Sequence, residues 1–440
     1  MLKLLLRVIF LVLLIASFFI HNYIFTFCLM LLVFIFEYVF SKDLNTRIII
    51  FFLFLYFFIP FLNISSYRGT IEFDTLILYC SSNILVIISL LIFSKKRIKT
   101  SSIIYIDKSP NLYVFTLIHI SFAYILLAYT YFRYGNIFSV QETRFVISPT
   151  VGYIIKSTIY IPLIFILLKT PKNYLYYLVF IFLPLMPAFL IGSRGTVIMI
   201  IIGVLLLLLL MNLEKAVFFN RINKSYTNIK RKHFLLGSMF SIFVLYSIFY
   251  VRRAASKVYI SSAELIKKYF DVKISPILVY LILPLYLNLR ETVGITNQII
   301  QKDLNNTNII PMFLLELFTV LPGKQDSPGI ILGNMIGRVG DAGLTPGILG
   351  GLYLDIGFFC VLFPMFFVMI LCYFYKKSQS NDIFKIVYVL SLVQFFHLYH
   401  RGFLKLEYFM SFLIIFIYLL ISGSFRIKNE DTSHSIPISS

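Results

Sequence analysis

Apolar runs of about 17 to 20 residues recur along the chain, and a helix needs about 20 apolar residues to cross the hydrocarbon core of a bilayer. Stretches such as 4–20, 75–93 and 196–212 are apolar on every side, unlike the amphipathic helices of soluble proteins. Hydrophobic residues make up 60% of the chain and charged residues only 13%. The sequence therefore predicts an all-α, polytopic membrane protein with no soluble domain longer than a loop.

Counting these runs predicts about twelve transmembrane helices, near 4–20, 23–40, 48–64, 75–93, 111–132, 151–168, 175–191, 196–212, 234–251, 348–375, 383–399 and 408–425. The loops between them alternate in charge. Segments 94–110 and 212–233 are basic, so the positive-inside rule places them in the cytoplasm together with both chain ends.

This topology divides the chain into four regions. Helices one to nine fill 1–251, a large periplasmic loop fills 252–347, helices ten to twelve fill 348–425, and a cytoplasmic tail fills 426–440. Within the loop, "PILVYLILPLYLNL" (276–289) is too short and too proline-bounded to span comfortably. We expect it to be re-entrant or interfacial, since counting it as a span would invert every later loop.

Several function classes are disfavoured by the sequence. The net charge of +20 would point to nucleic acid in a soluble protein, but here the basic residues follow membrane sides, and we expect no nucleic-acid partner. Nucleotide-binding loops, dinucleotide fingerprints, zinc-type His/Glu pairs and nucleophile elbows are absent from the sequence. We expect no cofactor and no metal, and we interpret the four cysteines as packing residues.

Arg194 stands in "AFLIGSRGTVIMIIIGVLLL" (188–207), between two apolar runs. The predicted topology puts the GSRG turn at the outer surface and makes Arg194 the start of a helix. Unpaired N–H groups at a helix start, joined by a guanidinium, favour a phosphate or diphosphate. The alternative is a snorkelling or topology-fixing arginine, for which the positive-inside rule predicts the other face.

Other arginines fall on the same outer face: Arg252 and Arg253 after the ninth span, Arg290 after the 276–289 segment, Arg338 in a glycine-rich stretch, and Arg401 ending the eleventh span. Gathered cations repel one another unless an anion joins them. Together with Arg194, Arg252, Arg253, Arg290 and Arg401 are our predicted diphosphate ligands. Each taken alone has a plainer interpretation as a solvated loop charge.

The glycine-rich stretch "SPGIILGNMIGRVGDAGLTPGILGGLYLDIG" (327–357) has glycines at 329, 333 and 337, a spacing typical of a helix-packing seam and equally compatible with a ligand loop. A carboxylate entering an apolar span needs a partner. We expect four residues of this stretch to shape a sugar site or to hold the loop: Arg338, Asp341, Tyr353 and Asp355.

A base for catalysis is predicted at one of two places. In "FHLYHRGFLKLE" (396–407), His397, His400 and Arg401 share one helical face at its outer end, and a histidine near neutral pH can accept a hydroxyl proton. Interfacial histidines also serve as hydrogen-bonded architecture. Glu291, next to Arg290, is the rival base, so His400 and Glu291 both stay open as the catalytic residue.

These features together resemble the O-antigen polymerases, the Wzy-type polymerases of oligosaccharide repeat units. The resemblance rests on about twelve spans, GSRG at the outer start of a middle helix, an arginine pair after the next span, a large outer loop, and "GLTPGILGGLYLDIGFFCVLF" (343–363) leading into a late helix. It covers most of the chain.

The resemblance implies an inverting glycosyltransferase with a GT-C-like fold in the bacterial inner membrane. Its substrates would be undecaprenyl-diphosphate-linked oligosaccharides. It would be surrounded by membrane lipid, and a chain-length co-polymerase would be a candidate partner. Two other readings stay open. One is a flippase or exporter of lipid-linked oligosaccharide, which should carry charges deep in several spans and have symmetrical halves. The other is an O-antigen ligase, which differs only in its acceptor.

Overall fold

Helices make up nearly all of the chain that the computed structural model describes, which is residues 2–41, 43–62, 64–65, 67–94, 102–106, 109–135, 147–167, 178–191, 194–219, 276–306, 309–319, 327–337, 343–379, 381–422 and 425–429. Seven of these helices are long and apolar enough to cross a membrane, and four shorter apolar helices of 10–17 residues accompany them. They confirm the predicted class, a multi-pass helical membrane protein. The predicted ninth span, 234–251, lies outside the described residues.

The α-helices, numbered in chain order, are α1 (Leu2–Ile20), α2 (Tyr23–Phe40), α3 (Leu44–Phe61), α4 (Phe73–Phe93), α5 (Pro110–Tyr134), α6 (Pro149–Lys156), α7 (Ile161–Leu167), α8 (Met186–Leu190), α9 (Arg194–Phe219), α10 (Pro276–Gln301), α11 (Leu315–Phe318), α12 (Pro328–Ile336), α13 (Gly347–Ile356), α14 (Leu362–Ser378), α15 (Asp382–Arg401) and α16 (Leu406–Ile421). Short 3-10 or π segments continue several of them: Ser157–Tyr160, Leu178–Phe182, Leu183–Leu185, Met312–Leu314 and Gly357–Val361.

The apolar runs become helices because backbone N–H and C=O groups in lipid must find partners within their own segment. Polar residues mark where several helices begin. Asn22 accepts a hydrogen bond from the first turn of α2 at 3.0 Å, Asp43 does the same for α3 at 3.0 Å, and Asn381 for α15 at 3.1 Å. Each cap satisfies one of the donors that a helix start leaves free.

Helix α15 lies at the centre of the bundle. It packs against α14, α9 and α13, and its polar side chains Gln394 and His397 are buried along with its apolar ones. Because α15 is surrounded by other helices, its last two residues, His400 and Arg401, emerge in the middle of one end of the bundle rather than at its rim.

At the opposite end, the contacts join segments that flank the basic loops. Tyr388 donates to Asn45 at 2.7 Å, and Ser109 donates to the carbonyl of Ser422 at 2.7 Å. Two strands, β1 (Ser102–Ile106) and β2 (Phe425–Asn429), pair there as an antiparallel ribbon. This ribbon adds to the all-helical prediction, because chain outside the bilayer can satisfy its backbone by strand pairing. The positive-inside rule identifies this end as cytoplasmic, which stays a prediction.

The segment 276–289 is not a separate re-entrant piece. It forms the first half of α10, which continues without a break to Gln301. The sequence interpretation ended the segment where charged and polar residues begin, at Arg290, but these residues are buried against other helices: Arg290, Thr292, Thr296 and Asn297. The helix extends beyond the apolar run because other segments of the protein pack against these polar residues.

Two glycines allow the end of α15 to touch the start of α13. Gly402 and Gly347 both have positive φ, +82° and +66°, which only glycine adopts without strain. A Cβ on Gly402 would collide with the Gly347 carbonyl, and one on Gly347 would collide with Thr292. The GLTPG turn thus packs directly on the backbone next to His400 and Arg401. Gly329 packs in the same way against the backbone of Leu344, which favours the packing interpretation of that glycine.

Candidate functional site

The predicted site residues that the structure describes lie at the end of the bundle opposite the ribbon. Side chains are described for Arg290, Glu291, Tyr353, Asp355, His400 and Arg401, and for Arg194 the backbone alone. The remaining four lie outside the described residues: Arg252, Arg253, Arg338 and Asp341. The described set separates into residues that hold the fold and residues that face an accessible polar cluster.

Arg290 holds the fold. Its side chain is completely buried, and its guanidinium donates to three backbone carbonyls: Pro60 at 2.6 Å, Gly69 at 2.5 Å and Tyr67 at 3.3 Å. The Pro60 carbonyl belongs to the last turn of α3, where carbonyls have no partner inside the helix. Arg290 therefore caps α3 from a distant helix and fixes the backbone at Tyr67 and Gly69. Three of its five N–H donors are engaged by the backbone in a completely buried place, which disfavours Arg290 as a diphosphate ligand.

Replacing Arg290 with methionine should destabilise the protein, because the Pro60 carbonyl loses its partner in a buried place and the Tyr67 and Gly69 carbonyls lose theirs in part-buried ones. An unsatisfied buried polar group costs about 1 to 3 kcal/mol, so we expect a loss of at least about that size, read as a lower midpoint of thermal unfolding in detergent. Arg47→Met is the matched control, since Arg47 is exposed and donates to one carbonyl, that of Ser41. Equal midpoints for the two variants would contradict the capping role.

Glu291, the next residue of α10, faces the loop that Arg290 fixes. Its carboxylate accepts from the Tyr67 hydroxyl at 3.2 Å and lies 3.4 Å from the Arg68 guanidinium. Burial raises the pKa of the Tyr67 hydroxyl above its usual range, and the neighbouring Glu291 carboxylate raises it further. Tyr67 therefore stays protonated and donates. Glu291 and Arg68 remain 24% and 17% exposed, so this group is reachable from outside.

Arg68 is held in an unusual conformation. Its φ of +66° is in the left-handed region, which is uncommon for a residue with a side chain. A Cβ on Gly294 would lie 2.5 Å from the Cβ of Arg68, so the absence of a side chain there lets the loop lie directly on α10. The Nε of Arg68 is buried and has no hydrogen-bond partner. This arginine is thus held close to Glu291 while its donors are only partly used.

His400 is positioned by Thr292. The Nδ1 atom of His400 lies 3.3 Å from the Thr292 hydroxyl, which also donates to the His400 carbonyl at 3.2 Å. The ring meets Tyr56 edge to face, with 6.3 Å between ring centroids. Its Nε2 atom has no hydrogen-bond partner among the described residues, and the residue is partly exposed. His400 therefore presents one fixed and one available nitrogen.

Arg401 is the uncommitted cation of the cluster. It is partly exposed, and within the described part of the chain its guanidinium makes neither a hydrogen bond nor an ion pair. The negative charges that act on Arg401 are the carboxylates of Glu291 and Glu407. Both of these already have other partners, so the five donors of Arg401 are available to a ligand.

Glu407 joins the starts of two helices and the end of a third beside Arg401. Its carboxylate is nearly buried and accepts from Lys156 at 2.7 Å and from the Thr196 hydroxyl at 2.6 Å. Thr196 lies two residues after Arg194, so the start of α9 stands next to the start of α16 and the end of α15. The structure thus brings the backbone of Arg194 to the same end as Arg401.

The charges of this end form an alternating series of Arg68, Glu291, Arg401, Glu407 and Lys156. Sequence reasoning named only Glu291 and Arg401 of these. Arg68 was not named because its loop carries few charges. The sequence Tyr-Arg-Gly at 67–69 does, however, place an arginine beside a glycine that favours a turn. Lys156 and Glu407 stand singly in apolar surroundings, which also indicates an intramembrane partner.

Asp355 holds a loop. Its carboxylate accepts from the Asn306 side chain at 2.7 Å and from the backbone N–H groups of Met312 and Phe313 at 2.8 and 3.3 Å. These bonds favour the loop-holding alternative for Asp355, and they supply the partners that a carboxylate in an apolar span needs. Tyr353, one half-turn earlier, is partly buried and packs in the core.

The other histidines are engaged inside the bundle. His397 is buried and its Nδ1 lies 3.0 Å from the Tyr408 hydroxyl, so it faces α16 rather than the exposed cluster. Both nitrogens of His119 meet hydroxyls, those of Tyr160 at 2.9 Å and Ser157 at 2.8 Å. His119 thus makes polar pairs inside the bundle.

The described residues contain no group of three or more His, Cys, Asp or Glu side chains arranged to hold a metal ion. What the cluster offers instead is a partly exposed guanidinium, a second arginine with spare donors, and an imidazole nitrogen beside them. Such a set can bind an anion through charge-assisted hydrogen bonds and can accept a proton.

Fold and site together define a multi-pass helical membrane protein with a cationic, partly exposed cluster at one end of its bundle. Comparison of the chain with protein-family models, with curated proteins and with solved structures returns no match.

Proposed function

We propose that the protein is a glycosyltransferase of the bacterial inner membrane that polymerises undecaprenyl-diphosphate-linked oligosaccharide repeat units at the periplasmic face. The fold would be a GT-C-like bundle of twelve spans, with the ninth between α9 and α10. The growing glycan on its lipid diphosphate is the donor, and a sugar hydroxyl of the next lipid-linked repeat is the acceptor. The product is an O-antigen or a similar surface polysaccharide.

The observation that carries the proposal is the guanidinium of Arg401, which among the described residues has no hydrogen bond or ion pair and lies at the bundle end that we take to be periplasmic. A polyprenyl tail must remain in the bilayer while its diphosphate and sugars lie at the surface, so the binding site has to be cationic and located at helix ends. Arg401 meets both demands, and its neighbours Glu291 and Glu407 are already paired. Negative charge grows on the departing diphosphate as the glycosidic bond breaks, and Arg401 stabilises that charge.

We assign the base to His400. The single hydrogen of the Thr292 hydroxyl faces the carbonyls of Asn288 and His400, so its oxygen accepts from Nδ1–H of His400. That tautomer leaves the Nε2 lone pair free to take the proton of the attacking hydroxyl. Glu291, the rival base, is engaged by Tyr67 and Arg68. The start of α9 at Arg194, at the same end of the bundle as Arg401, adds donors for the diphosphate.

Incubating the purified protein with lipid-linked repeat units in detergent tests the proposal directly. An enzyme makes polymer in detergent, where no membrane gradient exists, and releases polyprenyl diphosphate once for each bond formed. A lack of polymer together with transport of the same lipid in vesicles would identify a flippase instead. Transfer to lipid A core but not to a second repeat would identify a ligase.

A further inference from the structure

Glu291 has a position that the proposed chemistry does not explain. Its carboxylate lies 3.4 Å from the Arg68 guanidinium and is the first of the charges that act on Arg401. One anionic group therefore pairs with Arg68 and also acts electrostatically on Arg401, and the donors of both arginines are otherwise little used among the described residues. This is the arrangement that a bound anion would produce, with a side chain of the protein in its place.

The contact between Glu291 and Arg68 is loose, and within the described residues no hydrogen bond or ion pair joins Glu291 to Arg401. A charge-assisted N–H···O bond is normally about 2.7 to 2.9 Å long, and the approach of Arg68 is longer. Arg68 keeps a buried Nε without a partner, and Arg401 forms no hydrogen bond within the described residues. A carboxylate has two oxygens, too few to satisfy two guanidinium groups. A phosphoryl group carries more acceptor oxygens and would satisfy donors that Glu291 leaves unmet.

The surrounding structure holds Arg68 in place independently of Glu291. Arg290 fixes the backbone on both sides of it through the carbonyls of Tyr67 and Gly69, and Gly294 allows the loop to pack directly on α10. The left-handed backbone of Arg68 persists only because its surroundings determine it. Arg68 is therefore pre-positioned for a ligand rather than placed by its ion pair.

We propose that Arg68 is a further ligand of the substrate's diphosphate, opposite Arg401, and that the Glu291 carboxylate occupies the anion position until the diphosphate displaces it. This inference rests on the proposed function of the site. Displacement costs the contacts of Glu291, so the carboxylate lowers the affinity for every anion and keeps weakly charged ones out. Tyr67 gives the displaced carboxylate a remaining partner.

Glu291→Gln tests the inference, with farnesyl diphosphate as probe and farnesol as its uncharged control. Binding is measured by calorimetry on the purified full-length protein in detergent. We expect Glu291→Gln to bind the diphosphate about tenfold more tightly than the wild type. The substitution removes one charge-assisted contact that competes with the ligand, and losing such a contact changes the affinity by about a factor of ten. Arg68→Gln should bind it about tenfold more weakly, and farnesol should respond to neither change.

Glu72→Gln is the matched control. Glu72 is an exposed carboxylate at the same end of the bundle whose side chain makes no capping hydrogen bond, so its removal changes the net charge equally without touching either arginine. Tighter binding by Glu291→Gln alone supports displacement. Equal or weaker binding by Glu291→Gln, with a wild type that binds, overturns the displacement role and leaves the proposed function standing. Failure of the wild type and of every variant to bind overturns the diphosphate site itself.

Discussion

Arg401→Gln should reduce the rate of polymer formation by about 100-fold or more, while the protein inserts and folds normally. Removing one preorganised donor from the place where negative charge develops typically costs this much, and Arg401 carries up to five. The fold should tolerate the change, because within the described residues the guanidinium holds no other group in place. The measurement is the initial rate of product release from lipid-linked repeats in detergent, with the unfolding midpoint recorded for the same preparation.

Arg133→Gln provides the matched control for Arg401. Arg133 is an exposed arginine in the last turn of α5 whose contacts among the described residues are with neighbouring tyrosines, with 2.5 Å to the Tyr129 hydroxyl. Its replacement removes the same charge from the same end of the bundle and should leave the rate unchanged. Arg401→Lys should recover part of the activity, since lysine keeps the charge and loses the planar pair of donors. A fully active Arg401→Gln protein would remove the diphosphate role.

His400→Asn should lower the polymerisation rate by about 100- to 10,000-fold, the contribution typical of a general base. Asparagine reaches the position of Nδ1, so it can still donate to Thr292, but it offers nothing at the position of Nε2. The variant therefore separates the two functions of the ring. Its residual rate should no longer fall on acidification, whereas the wild-type rate should fall as the imidazole becomes protonated.

The control for His400 is His21→Asn. His21 is exposed in the turn between α1 and α2 and has a positive φ of 52°, a conformation that asparagine adopts readily. Its replacement should leave both the rate and its pH dependence unchanged. If His400→Asn keeps the wild-type pH profile and loses only stability, the histidine positions the chain and the base lies elsewhere.

The architecture could be predicted from the sequence to a useful depth. Period and length of the apolar runs determine where helices lie, because the bilayer leaves the backbone no other partner. The charge alternation of the loops also sorted the helix ends into the two groups that the contacts join, with Ser109 and Ser422 together at one end and Thr196 and Glu407 at the other. The ends of helices were harder to predict, because α10 continues through polar residues that are buried by other segments of the chain.

The roles of single arginines could not be predicted. Arg290 and Arg401 both follow an apolar run and look alike in the sequence, yet Arg290 donates to three carbonyls while Arg401 makes no hydrogen bond within the described residues. The difference arises from segments far away in the chain, because Pro60 and Arg290 are 230 residues apart. Arg68 was missed for the same reason, since its significance comes from Glu291 and Gly294. Local pattern identifies a charge at the membrane surface, and tertiary packing decides whether it serves structure or ligand.

The β1–β2 ribbon joins two helices that are far apart in the chain. It ties the chain leading into α5 to the chain leaving α16, and the Ser109 to Ser422 bond strengthens that link. Any separation of α5 from α16 would therefore be smallest at the ribbon and would grow toward the opposite end of the bundle.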